Sequence, residues 1–121
     1  MKKRLCVFCG ASSGNNPAYT KMARELGVML AKNQIGLVYG GATIGVMGAI
    51  ADSVLEYGGE VIGVIPEHLV NYEIAHKNLT EIHIVSDMHS RKAMMYEKSD
   101  YFLTLPNQSA IRCVLLKALF S

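Results

Sequence analysis

Apolar residues fall along this chain in two alternating rhythms. Short unbroken runs, "RLCVFCG" (4–10), "IGLVYGG" (35–41) and "EVIGVIP" (60–66), end in glycine or proline, the mark of strands buried on both faces. Between them, apolar positions return at helical spacing. Tyr19, Met22, Ala23, Leu26, Met29 and Leu30 predict a helix over 17–32. "TIGVMGAIADSVLEYGG" (43–59) predicts a second, stopped by Gly58 and Gly59. "LTEIHIVS" (79–86) reads as a fourth strand, "DMHSRKAMMYEKS" (87–99) as a third helix and "YFLTLP" (101–106) as a fifth strand. The stretch 67–78 reads as a loop with one helical turn. After it all, Ile111, Val114, Leu115, Ala118 and Leu119 recur as on a last helix.

Strands alternating with helices over crossovers of this length imply an α/β fold: a Rossmann-like open parallel sheet of about five strands, with helices on both faces in three layers. The chain is read as a single domain over 1–121, with 107–121 a divergent tail. In such sheets ligands bind beyond the carboxyl ends of the strands, where helix N-termini offer unpaired N–H groups. The residues at those ends are the candidates.

After the first strand, Ser12 and Ser13 in "CGASSGNNP" bring hydroxyl donors between two glycines. That loop reads equally as an anion cradle or as an ordinary turn capping a helix. After the second strand, "YGGATIGVMG" is no G-x-G-x-x-G dinucleotide fingerprint. Gly40 and Gly41 stand at the strand-to-helix turn, where a missing Cβ lets a ligand come close. Gly45 and Gly48, three apart on one helix face, suit tight packing on the sheet or a phosphate. After the fourth strand, Arg91 and Lys92 follow within a turn of the helix start. Two cations there oppose the macrodipole, and an anionic ligand between them would remove the conflict. Glu73, in the loop after the third strand, is the other polar group expected at that rim. His68, His76, His83 and His89 lack metal-ligand spacing and are read as structural or rim residues.

Composition narrows the partners. Of 121 residues half are apolar and 18% charged, a globular balance, and a net charge of +2 argues for neither nucleic acid nor membrane. No apolar run reaches membrane-spanning length. "MKKRLCVFC" is basic like a signal peptide, but its apolar run is too short. A cytoplasmic protein is expected. Three cysteines cannot all pair, and Cys6 and Cys9 lie inside a strand rather than at a helix N-terminus, so they read as buried thiols.

"VFCGASSG", "GLVYGGATIGVMGAIAD", "VIGVIP" and above all "DMHSRKAMM" resemble the LOG ("Lonely guy") family of cytokinin riboside 5′-monophosphate phosphoribohydrolases, often labelled possible lysine decarboxylases. The resemblance covers residues 3 to about 106. It implies a Rossmann-like homodimer that cleaves a nucleoside 5′-monophosphate such as AMP to free base and ribose 5-phosphate, with no cofactor. Arg91 would match the family's catalytic arginine, Lys92 its neighbour in substrate binding, and Glu73 a substrate-contacting acid. The family's second signature, P-G-G-x-G-T-x-x-E, should follow the fifth strand. Here Pro106 is followed by "NQSAIRCVLLKALFS", with neither Gly nor Glu. The expectation is therefore a shortened or frame-shifted relative with weak or absent hydrolase activity, because a carboxylate is needed beside the developing ribosyl cation. The residues leave a non-catalytic nucleotide- or phosphate-binding module as the alternative. A lysine decarboxylase is a further one.

Overall fold

The computed structural model describes residues 3–9, 17–43, 45–71 and 75–105. The readings placed on Ser12, Ser13, Glu73 and the tail beyond 106 lie outside these residues.

Five strands and three helices follow in the order the apolar rhythm predicts. They are β1 (Arg4–Cys9), α1 (Pro17–Lys32), β2 (Gly36–Tyr39), α2 (Gly45–Glu56), β3 (Val61–Pro66), β4 (Glu81–Val85), α3 (Met88–Glu97) and β5 (Tyr101–Leu105). A 3-10 turn at Glu67–Leu69 is the helical turn among the described residues of the 67–78 stretch. Every strand pair is parallel, and the sheet order is β4-β3-β2-β1-β5. The fold is Rossmann-like.

The order has a simple cause. From β1 to β4 each strand is laid one place further in the same direction, and right-handed crossovers put α1 and α2 on one face. The chain then reverses to lay β5 beside β1, and the same handedness sends α3 to the other face. Alternating side chains serve the two layers. Leu5, Val7, Leu37, Tyr39 and Val61 pack with Leu26, Leu30, Ile50 and Val54 of α1 and α2. Cys6, Val38, Ile62 and Val64 pack with Met95 of α3. Each fully buried aliphatic side chain contributes about 1.5–3 kcal/mol. Among the described strands, β4 and β5 are the edges, which is why Ile82, Ile84, Tyr101 and Phe102 remain exposed.

The reversal of direction falls between β1 and β5, whose last residues, Cys9 and Leu105, pair with each other. In open parallel sheets the crevice that takes ligands lies outside the carboxyl ends of the strands, where the strand order reverses.

Gly48 departs from its reading as a residue freed for the sheet or a phosphate. A Cβ there would collide with the carbonyl oxygen of Thr43, so the turn entering α2 needs the glycine. Helix ends follow local rules. At the end of α2, Gly58 (φ +79°) donates to Leu55 O at 3.0 Å and Gly59 to Val54 O at 2.8 Å, a Schellman stop. At the end of α1 the same pair of bonds is made by Gln34 to Ala31 O (3.2 Å) and Ile35 to Leu30 O (2.9 Å), with Gln34 at φ +58°. A side chain in that conformation is strained. Replacing it with glycine (Gln34→Gly) is expected to raise unfolding stability by about 0.5–1 kcal/mol, after the entropy that glycine gives back. Urea denaturation measures this, and an unchanged or lower midpoint contradicts it.

Candidate functional site

α3 starts at the carboxyl end of β4. Its first turn is capped by Asp87, whose side chain accepts from the Ser90 N–H at 2.7 Å. That bond holds the Asp87 carboxyl below its usual range. The cap is therefore in place above pH 3.8 and is lost as pH falls through the lowered value.

One turn in, Arg91 is buried, with 8% of its surface exposed. Its side chain crosses beneath the sheet's carboxyl rim. Nε donates to Val64 O of β3 at 2.9 Å, and Nη2 donates to Gly40 O, just past β2, at 2.6 Å. Nη1 lies 3.8 Å from the Met88 sulfur. A guanidinium has five donors in a rigid plane, and here one edge of that plane spans from within β3 to the residue just past the neighbouring β2. The conflict with the macrodipole is answered by these carbonyls. Burial of the charge is tolerable because charge-assisted bonds replace water.

Gly40 explains itself in this arrangement. A Cβ there would run into Arg91 Nη2 and lie 3.3 Å from the Met47 sulfur. The space left by the missing side chain is filled by the arginine. Gly41 adopts φ +80°, and it packs so closely on Gly63 that a Cβ at Gly63 would lie 2.9 Å from its Cα. Together they turn the chain so that two successive carbonyls point to different partners. Gly40 O takes Arg91, while Gly41 O accepts from the His76 N–H at 2.8 Å. An isolated bridge, Ala42 to Ala75, joins the same two segments.

Arg91, Gly40 and Gly41 are thus brought together. Lys92, the next residue on the helix, is not buried with Arg91 and stays exposed. Ser12, Ser13 and Glu73 fall outside the described residues. His76 and Asp52 are the pair the sequence reading missed. The His76 ring is buried and its Nε2 sits 2.7 Å from Asp52 Oδ1. Their separation, 24 residues across a strand, carries no local pattern. Cys6 lies on the α3 face of β1, and burial pushes its thiol up to about 11, away from thiolate chemistry. No helix among the described residues is long and apolar enough to cross a membrane.

Known proteins agree with this architecture. Over 104 residues the chain is 46% identical to LOG7 and 50% identical to LOG1, both cytokinin riboside 5′-monophosphate phosphoribohydrolases of Arabidopsis thaliana. It is 48% identical over 105 residues to the phosphoribohydrolase of Rhodococcoides fascians. Each match covers 86% of this chain but 48%, 49% and 53% of the relative, so the chain spans about half the length of the curated relatives it matches. Among solved structures, the molybdenum cofactor carrier protein of Chlamydomonas reinhardtii superposes with a TM-score of 0.71 at 21% identity, over 98% of this chain and 72% of that one. The molybdenum cofactor binding protein of Rippkaea orientalis gives 0.72 at 20%, over 98% and 73%. These two share the fold. The model of the family described as "possible lysine decarboxylase" matches residues 47–107, from the first turn of α2 to just past β5 and with the Arg91 turn inside it. The chain belongs to that family, the LOG family.

Proposed function

We propose that this chain binds a nucleoside 5′-monophosphate at the carboxyl rim of its sheet and that its reaction class is phosphoribohydrolase chemistry. Water adds to C1′ of the ribose, the C1′–N bond breaks with its electron pair going to the base, and the base takes up a proton. The products are free base and ribose 5-phosphate. The observation that carries this reading is the buried Arg91, anchored on Val64 O of β3 and Gly40 O past β2 in a chain 46–50% identical to named phosphoribohydrolases.

The anchoring bears on Arg91's role. A guanidinium stays protonated throughout, so it acts as fixed positive charge rather than as a proton donor. Held by two carbonyls, it is pre-organised and loses little freedom when an anion arrives. Lys92, exposed one residue on, is read as a second, mobile charge toward the same ligand, and Glu73 as a substrate contact. Ser12 and Ser13, in the sequence that follows β1, join this reading as hydroxyl donors.

A second reading rests on one sequence fact: the stretch directly after Pro106, "NQSAIRCVLLKALFS", holds no glutamate. Cleavage of an N-glycosidic bond is helped by a carboxylate near the ribosyl cation. Without one supplied after β5, the same rim would bind nucleotide and turn it over slowly or not at all. We also propose a cytoplasmic homodimer, since β5 presents an unpaired edge among the described strands and the buried, unreactive Cys6 suits a reducing compartment.

AMP is the substrate for the test. Adenine and ribose 5-phosphate release supports the hydrolase, whereas saturable binding without release supports the binding module. If AMP neither binds nor reacts, both fail. Arg91→Ala is expected to weaken AMP binding by roughly tenfold or more, the worth of one or two charge-assisted bonds. Gly40→Ala puts a methyl on Arg91 Nη2 and is expected to cost about 1–3 kcal/mol of stability, with a parallel loss of AMP affinity. Calorimetric titration and thermal melts read both. Light scattering at micromolar concentration is expected to return a dimer, and a monomer rejects that part.

A further inference from the structure

His76 was read from the sequence as structural or rim, yet it is tied to the turn that holds Arg91. We infer that His76 is a positioning residue for the Arg91 anion site, a step that rests on the function proposed above. Its three hydrogen bonds join its own segment to the glycine turn and to α2. The backbone N–H donates to Gly41 O at 2.8 Å, Nε2 meets Asp52 Oδ1 of α2 at 2.7 Å, and Nδ1 accepts from the Asn78 N–H at 3.1 Å.

The last of these bonds decides the proton's place. A peptide N–H can only donate, so Nδ1 carries no hydrogen, and the ring's proton sits on Nε2, where it donates to the Asp52 carboxylate. The ring is a one-way connector from the 76–78 backbone to the side of α2. A second proton, on Nδ1, would face the Asn78 N–H donor to donor.

The consequence runs through the glycine turn. Gly40 O and Gly41 O are successive carbonyls, one accepting from Arg91 Nη2 and the other from the His76 N–H. Gly40 and Gly41 carry no side chains to hold the turn from within, so its orientation depends on what it bonds. With the ring in place, α2, segment 75–78 and the turn are one unit, and Gly40 O stays aimed at the guanidinium. With the ring removed, the Gly41 contact rests on a backbone segment that has lost its tie to α2. Arg91 then keeps its bond to Val64 O and loses definition at Gly40 O. Asp52 is 68% exposed, so its part in this chain is accepting the ring's proton rather than filling space.

The test uses the whole chain with four substitutions. His76→Gln keeps donation to Asp52 through its Nε2, and His76→Asn keeps the acceptor toward Asn78 through its Oδ1. His76→Ala removes both, and Asp52→Ala removes the carboxylate from an exposed position. Nitrogen-15 NMR of the imidazole is expected to show the Nε2–H tautomer, and the Arg91 Nε–H signal reports the guanidinium's setting. His76→Ala is expected to shift that signal and to weaken AMP binding about tenfold, and His76→Gln to recover most of the loss. Asp52→Ala should move the Arg91 signal in the same direction. An Nδ1–H tautomer overturns the inference. So does an Arg91 signal unmoved in both His76→Ala and Asp52→Ala, even if stability falls, because a purely structural histidine would behave that way. If the wild-type chain binds no AMP, the function proposed above fails by itself and the Arg91 signal still decides this one. If His76→Ala does not fold, His76→Gln, His76→Asn and Asp52→Ala decide it in the same way.

Discussion

A charged guanidinium bonded to backbone carbonyls of two neighbouring strand segments is the contact on which the rest of the rim depends. Arg91 leaves α3, crosses to Val64 O on β3 and reaches Gly40 O past β2. Removing this cation from water is costly, and the two carbonyls offset part of that cost while they stay in reach. That single requirement constrains much around it. Residue 40 must lack a Cβ, the turn after it must aim its carbonyl inward, and α3 must start close above β3.

The sheet's topology supplies those conditions. Because the chain reverses direction after β4, α3 is carried to the face opposite α1 and α2 and laid over β3. Its first turn therefore meets the strand tips at the same end as the β1–β5 crevice. On the other face, α2 contributes Asp52, which holds His76, which in turn bonds Gly41. The glycine turn is thus gripped from both layers. Here the rim is built from backbone carbonyls and two polar side chains, with the hydrophobic layers fixing the distances between them.

The usual opposition between a cation and a helix N-terminus takes a specific form here. At the sequence level Arg91 and Lys92 form one electropositive pair awaiting an anion. In the folded chain they divide. Arg91 is already partnered by carbonyl dipoles, which lets it be present and ordered before any ligand arrives, whereas Lys92 stays in solvent. Charge held in place this way loses little freedom on meeting an anion.

Periodicity alone determined the element order, the parallel sheet and the helix limits at Pro17, Lys32 and the Gly58–Gly59 stop, because burial on two faces and helical spacing are local properties of the chain. It also pointed to Arg91, Gly40 and Gly41, because charge and missing side chains at strand ends are visible without a fold. It could not say that the arginine fills the glycine's empty place, since residues 40 and 91 meet only once the sheet has brought β2 beside β3. Nor could it find His76 with Asp52, or see that Gly48 yields to the Thr43 carbonyl rather than to the sheet. Those are facts of distance between segments, and only the tertiary structure sets such distances. Long-range hydrogen bonds leave no period in the chain, and the packing of two layers against one sheet is what chooses them.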